Sequence, residues 1–215
     1  MKRDRVKAIV AAGYDAIADD YLRWSAEVID PVRDRLFERF IGLLPVRAAV
    51  LDIGCGAGIP WTRALAERSE VTGIDISPRQ IEAARRNVPG ATFIEGDVSN
   101  ARFGEGQFDA AIAFYSIAHL PKDEHGPLLE RVAHWLRPGG LLLASLPVRE
   151  SAGWLGEWLG TAMFFSSLGA DAYRALLREL GFDALVIEET TIDEPDGPAW
   201  FLWVLVRSSP GPPSG

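Results

Sequence analysis

Apolar positions along the chain change their spacing near residue 46. Ahead of that point they follow a helical period. In "PVRDRLFERFIGLL", Val32, Leu36, Phe37, Phe40, Ile41 and Leu44 share one face, and Asp30 and Pro31 supply the cap and first turn. Residues 4–12 and 14–25 are likewise read as helical. Beyond residue 46, short apolar runs alternate with amphipathic stretches. Strands are predicted over 47–53, 70–76, 91–98 and 108–117, and a fifth within "LRPGGLLLASLP". Between them lie helices over 61–69, from Ser77-Pro78 through Ile81, Ala84 and Arg85, and along Leu128, Leu129, Val132, Trp135 and Leu136. Tyr173, Leu176, Leu177 and Leu180 mark another, closed by Gly181. Two last runs, 183–190 and 199–207, flank "TIDEPDGP" and read as a hairpin. "FDAAIAFYSI" is apolar almost throughout, as a strand covered on both faces is.

Alternating strands and helices predict an α/β chain: a doubly wound, mostly parallel sheet of about seven strands with an antiparallel C-terminal strand at its edge. One domain is expected over 1–207, with an N-terminal helical cap over about 1–45, and 208–215 reads as a disordered Pro/Gly/Ser-rich tail. "SAGWLGEWLGTAMFFSSLG", 151–169, carries more large apolar groups than a bare loop tolerates. It is expected to form a helical lid, an insertion over about 150–170, with some of its side chains joining the core.

Composition narrows the partners. The net charge of −8 argues against a protein held to nucleic acid by its overall field. A single cysteine, Cys55, precludes an internal disulfide and fits a reducing cytoplasm. No apolar run reaches membrane-span length, and the N-terminus lacks signal-peptide character. No His/Cys/Asp/Glu spacing suggests a metal.

The chemistry concentrates at "VLDIGCGAG", 50–58. Gly54, Gly56 and Gly58 end a buried strand just after Asp52, where such sheets bind ligands. Asp75 ends the next strand at the spacing of an acid that holds a ribose diol. The G-x-G-x-G pattern behind an acid suits a ligand with a cationic amino group better than a diphosphate. These residues, with "GIDIS", "EGDV", "FDAAIAFYSIAHL", "LRPGGLLLAS" and "SSLGADAYRALLRELGF", resemble the class I S-adenosylmethionine-dependent methyltransferases of the small-molecule type. The resemblance covers roughly residues 14–207 and implies a Rossmann-like fold.

It also implies roles. Gly54, Gly56 and Gly58 would admit the cofactor's amino-acid arm and ribose, and Asp52 would sit near its ammonium or order the loop. Asp75 would hold the ribose hydroxyls, with Gln80 near the same site. Ile76 and Val98 would lie beside adenine and Asp97 would accept from its amino group. Phe114 or Tyr115 would line the methionine arm. Tyr14 and Tyr21, in "YDAIADDY", would face cofactor or substrate. His119, at the ligand-facing end of the fourth strand, is the candidate base or substrate-orienting group. Trp154, Trp158, Phe164 and Phe165 would line an apolar substrate pocket. Trp200 and Trp203 read as core, and His125 and His134 as structural or solvated. The expected activity is methyl transfer to O, N or C of a small, largely apolar or aromatic molecule by a monomer or homodimer; the alternative is a cofactor-binding protein of this fold that does not methylate.

Overall fold

The computed structural model describes residues 2–194 and 197–209. Most of the predicted tail, and the tip of the last hairpin, lie outside these residues. Three helices come first: α1 (Arg3–Ala16), α2 (Ala18–Glu27) and α3 (Pro31–Leu43). The first break falls at Ile17 rather than near Gly13. Gly13 stays helical, and its missing Cβ is what lets Met163 approach; a Cβ there would stand 2.9 Å from the Met163 methyl. Asp30 caps α3 by accepting from the Val32 and Arg33 amides, and Pro31 begins the helix, as the sequence predicts.

The alternating part follows: β1 (Ala49–Ile53), α4 (Trp61–Ala66), β2 (Glu70–Asp75), α5 (Pro78–Asn87), β3 (Thr92–Glu95), β4 (Phe108–Ala113), α6 (Lys122–Trp135) and β5 (Leu136–Pro147). Then come β6 (Ser151–Trp158), β7 (Thr161–Ser167), α7 (Ala170–Glu179), β8 (Phe182–Glu194) and β9 (Gly197–Ser208). The main sheet has the order β3-β2-β1-β4-β5-β9-β8. β1 pairs in parallel with both β2 and β4, so the strand order reverses there and the loops leaving β1 and β4 part to open a crevice.

The antiparallel strand is not the edge. β9 inserts between β5 and β8 and runs antiparallel to both. Burial explains the order: Phe201 to Val206 are all buried, as an interior strand requires, whereas β8 is only partly covered. Both strands run further than predicted, because pairing continues to Glu194–Gly197 with Ile192 turned inward.

One face of the sheet packs on α6 and α7 through Leu128, Val132, Trp135, Tyr173 and Leu177. The other packs on α3 and α4 through Leu36, Phe37, Phe40 and Leu65. The 151–169 segment is a β-hairpin, not a helix: β6 and β7 form a separate two-stranded sheet. Trp158 pairs with Thr161 across Leu159 and Gly160, both in left-handed backbone at φ 48° and 78°, and a two-residue turn of that kind joins strands and breaks a helix. Trp158, Met163 and Phe164 bury against Val6, Val10 and Ile17 of the N-terminal helices. Among the described residues no helix is long and apolar enough to cross a membrane.

Candidate active site

The site grows from the end of β1. Gly54 and Gly56 adopt left-handed backbone, with φ of 73° and 51°. Gly54 has no alternative: a Cβ there would lie 2.3 Å from that of Ser116, which follows β4. At Gly56 a Cβ would meet nothing closer than 3.8 Å, so the bare backbone fronts open space. Gly58 does a different job from the one expected. Its missing Cβ faces Val88 and Ala84 near the end of α5, so it packs the loop on a helix.

Asp75, at the end of β2, clamps this loop. One carboxylate oxygen accepts from the Gly56 amide and the other from the Ser77 amide, both at 2.9 Å. Each oxygen keeps lone-pair capacity for one of two adjacent hydroxyls. Burial raises the Asp75 pKa, and the backbone donors oppose that rise. Gln80 lies beneath the loop, 1% exposed, with neither amide atom partnered. Asp52 is buried and accepts from the Thr62 hydroxyl at 2.5 Å. Burial lifts its pKa from 3.8 to about 7. Cys55 remains a thiol, since burial pushes its pKa well up.

Three compartments surround the loop. The first runs past Asp75, Ile76, Asp97, Val98 and Leu128. The second, about 480 Å³, lies between the N-terminal helices, the β6–β7 hairpin and the tip of β9. The third lies behind the loop, by Arg33, Asp52, Trp61 and Thr62. Tyr21 and Tyr115 line all three. Tyr115 is held in left-handed backbone at φ 55°. Its amide donates to the Ser145 hydroxyl at 2.7 Å and its own hydroxyl to buried Asp30 at 2.9 Å, so surrounding structure fixes it there. This turn also ends β4 earlier than the apolar run predicts.

The first and second compartments also share Tyr14 and His119. His119 sits in a 3-10 turn after β4 and is 9% exposed. Its Nδ1 lies 2.9 Å from the Phe164 carbonyl of β7. A carbonyl only accepts, so Nδ1 carries the proton and Nε2 is left to accept from the Tyr14 hydroxyl, 2.8 Å away. Burial lowers the imidazole pKa to about 4, so the ring is neutral at neutral pH.

The structure separates some of the predicted residues. Trp154, Trp158 and Phe165 line the second compartment, with Trp154 half exposed and stacked on Phe165. The Phe164 ring instead packs into the core under α1, and only its carbonyl reaches the site. Phe114 lines the first and third compartments. Asp97 caps a 3-10 turn through Ser99 and pairs with Lys7 of α1 at 2.6 Å, while still lining the first compartment. Trp203 is core, but Trp200 lies at the cavity wall under the Arg149 guanidinium, 3.9 Å from its ring centroid. His125 is structural, bonded to Tyr173, Ser166 and the Leu120 carbonyl. Sequence reasoning passed over Trp24, Lys7 and Arg33, all on the N-terminal helices, because nothing in a helical period shows which helix crosses a strand end. Among the described residues no cluster could hold a metal.

The first and third compartments fit an adenosyl amino acid. They present a paired acceptor for a diol, an apolar sleeve for a purine, an acid for an ammonium and bare backbone between. A family model for the methyltransferase domain matches residues 50–140. Over 219 residues the chain is 32% identical to 27-O-demethylrifamycin SV methyltransferase of Amycolatopsis mediterranei, covering 89% of this chain and 79% of that one. The chain belongs to the S-adenosylmethionine-dependent methyltransferases. This methyltransferase is also 33% identical to methyltransferase GfsG of Streptomyces halstedii, over 80% of this chain and 68% of that one. Other relatives are matched over less of their length, as with 57% of a trans-aconitate 2-methyltransferase of Rhizobium leguminosarum. Among solved structures, the Burkholderia thailandensis 1,6-didemethyltoxoflavin-N1-methyltransferase, crystallised with 1,6-didemethyltoxoflavin and S-adenosylhomocysteine, superposes with a TM-score of 0.71. That likeness covers 97% of this chain and 91% of the other at 21% identity. S-adenosylmethionine is the methyltransferase's cofactor and S-adenosylhomocysteine its product.

Proposed function

We propose that this methyltransferase moves the methyl group to an O, N or C atom of a small, largely apolar or aromatic molecule held in the cavity beneath the β6–β7 hairpin. One observation carries the reading: Tyr21 and Tyr115 border the adenosyl, amino-acid and acceptor compartments at once. A sulfonium at that junction would face aromatic rings, which favour a cation, and would present its methyl to the acceptor cavity. Aromatic walls from Trp24, Trp154, Trp158, Phe165 and Trp200 suit a flat ring system. Relatives named for a rifamycin precursor and a didemethyltoxoflavin support the substrate class. They also favour methyl transfer over a non-methylating role.

The cofactor brings an already activated methyl group, so the protein's part is alignment and exclusion of water. In this reading Asp75 holds the ribose, Ile76 and Val98 flank the purine, Asp97 receives its amino group and Asp52 the ammonium. Gln80 supplies a further amide below the ribose. Tyr14 touches the acceptor, and His119 fixes the direction of the Tyr14 hydroxyl. With a pKa near 4, His119 holds a proton weakly, so its main service is orientation. Its tautomer is set by β7, which ties the hairpin's position to the reacting groups. The reading places the protein in a reducing cytoplasm, consistent with free Cys55, acting as a monomer or homodimer without nucleic acid or membrane.

The test incubates the protein with S-adenosylmethionine and a panel of hydroxylated and aminated aromatics and polyketides, followed by mass spectrometry. A product heavier by one methyl supports it. S-adenosylhomocysteine binding with no methylated product across the panel would refute it.

A further inference from the structure

We infer that Asp30 is a positioning residue for methyl transfer: it holds the Tyr115 ring at the junction of the three compartments, beside the place the sulfonium takes. This rests on the proposed reading that the sulfonium lies at that junction. Tyr115 follows β4 and, with Tyr21, borders all three compartments. Its backbone is left-handed at φ 55°, a conformation that a bulky side chain adopts only at a cost. Glycine would make the same turn without that cost. A strained residue that surrounding structure keeps in place points to use of its side chain. Here the side chain brings an aromatic ring to the meeting point of the cavities, and the face of such a ring attracts a cation.

Asp30 is fully buried, and its two oxygens serve different partners. Oδ1 accepts from the Val32 and Arg33 amides, at 3.1 and 3.0 Å. Oδ2 accepts from the Tyr115 hydroxyl at 2.9 Å and from the Trp203 Nε1–H at 3.0 Å. The Arg33 side chain bonds the same hydroxyl, so the phenol both donates and accepts. Burial and the Asp30 charge push the phenol pKa up, which keeps the donated proton on Tyr115. The Tyr115 ring meets Phe201 and Trp203 edge to face, with centroids 5.0 and 5.7 Å away. Its amide donates to Ser145 of β5. Packing and the amide bond set where the ring lies, and the bond to Asp30 sets its tilt. One buried acid therefore joins the start of α3, the inner strand β9 and the ring at the junction.

The test measures binding of S-adenosylmethionine and of S-adenosylhomocysteine by calorimetry, with no acceptor molecule present, and reads the ratio of the two affinities. The ligands differ by the methyl group and positive charge on sulfur. Asp30→Asn keeps an acceptor for the α3 amides, and asparagine caps helices as well as aspartate does, but it turns an NH2 group on Tyr115 and Trp203. In this variant the preference for the sulfonium should fall about tenfold, the scale of a desolvated cation–π contact, with S-adenosylhomocysteine affinity within about twofold of wild type. Tyr115→Phe keeps the ring, removes the hydroxyl and should lower the ratio similarly. Asp30→Asn added to Tyr115→Phe should then move the ratio by less than about twofold, because Asp30 acts through that hydroxyl. A fall of less than about threefold in Asp30→Asn, a comparable loss of both ligands, or additive effects in the double variant would each overturn the inference. Where Asp30→Asn does not fold, Tyr115→Phe decides by the same threshold. If wild type bound neither ligand, the cofactor reading itself would fall; binding of both with a ratio that the variants leave unmoved removes only Asp30.

Discussion

Asp52 gives the cofactor reading a proton signature. Burial holds its carboxyl at a pKa of about 7, against 3.8 in an open chain, so the ligand-free site is about half protonated at neutral pH. An ammonium placed against it would restore the ordinary value, and the proton would leave. Binding of S-adenosylhomocysteine should then release about 0.9 proton near pH 6, about 0.5 near pH 7 and about 0.1 near pH 8. The binding constant should rise about tenfold between about pH 6 and about pH 8, or about 1.4 kcal/mol. Calorimetry in buffers of different ionisation enthalpy reads both quantities. Asp52→Asn keeps an acceptor for the Thr62 hydroxyl but cannot titrate, so subtracting its pH dependence isolates the contribution of this group from that of Asp75. If wild type and Asp52→Asn released the same number of protons, Asp52 would not be the ammonium's partner. The same shift has a stability consequence. A raised carboxyl pKa favours the fold while the group is protonated. That support is complete below about pH 4 and fades as pH climbs through about 7, by up to about 4 kcal/mol.

Four further outcomes are expected. In urea melts above pH 7, ligand-free Asp52→Asn should be more stable than wild type and less sensitive to pH; the opposite order would contradict the buried carboxyl. Asp75→Ala should weaken S-adenosylhomocysteine about 100-fold or more in calorimetry, since it removes the diol acceptor and the clamp on Gly56 together. His119→Asn should cut turnover about a hundredfold with cofactor affinity within about twofold, and the wild-type pH–rate profile should show no His119 ionisation near 6.5, because burial has moved it to about 4. Gly54→Ala should lower stability by about 2 kcal/mol or more and abolish cofactor binding, since φ is 73° and Ser116 occupies the place of the new methyl.

The proposed donor half of the site is local in sequence, and its convergence was legible for that reason. Gly54, Gly56, Asp52 and Asp75 sit at the ends of two adjacent strands, and a parallel sheet brings such ends together whatever the rest of the chain does. The same logic found His119 at the end of β4. It missed what depends on how elements cross. Phe164 reads as a pocket aromatic, yet pleating turns its ring into the core and its carbonyl to His119. Trp200 reads as core but lies where β9, still paired with β8, runs past the end of β5. The position of β9 between β5 and β8 left a trace in its unbroken apolar run, which distinguishes an inner strand from an edge. Arg33 left none: a charged residue in a helix's first turn ordinarily faces water.

The hairpin of β6 and β7 is joined to the main sheet by chain, not by strand pairing. Its residues wall the second compartment, while the first is assembled largely at the ends of β1, β2 and β4. On the proposed reading, substitutions at half-exposed Trp154 would redraw which molecules are accepted and leave the grip on the donor in place. Other positions are constrained: the Trp158, Met163 and Phe164 side chains pack on the N-terminal helices, and the Phe164 backbone oxygen keeps His119 in register.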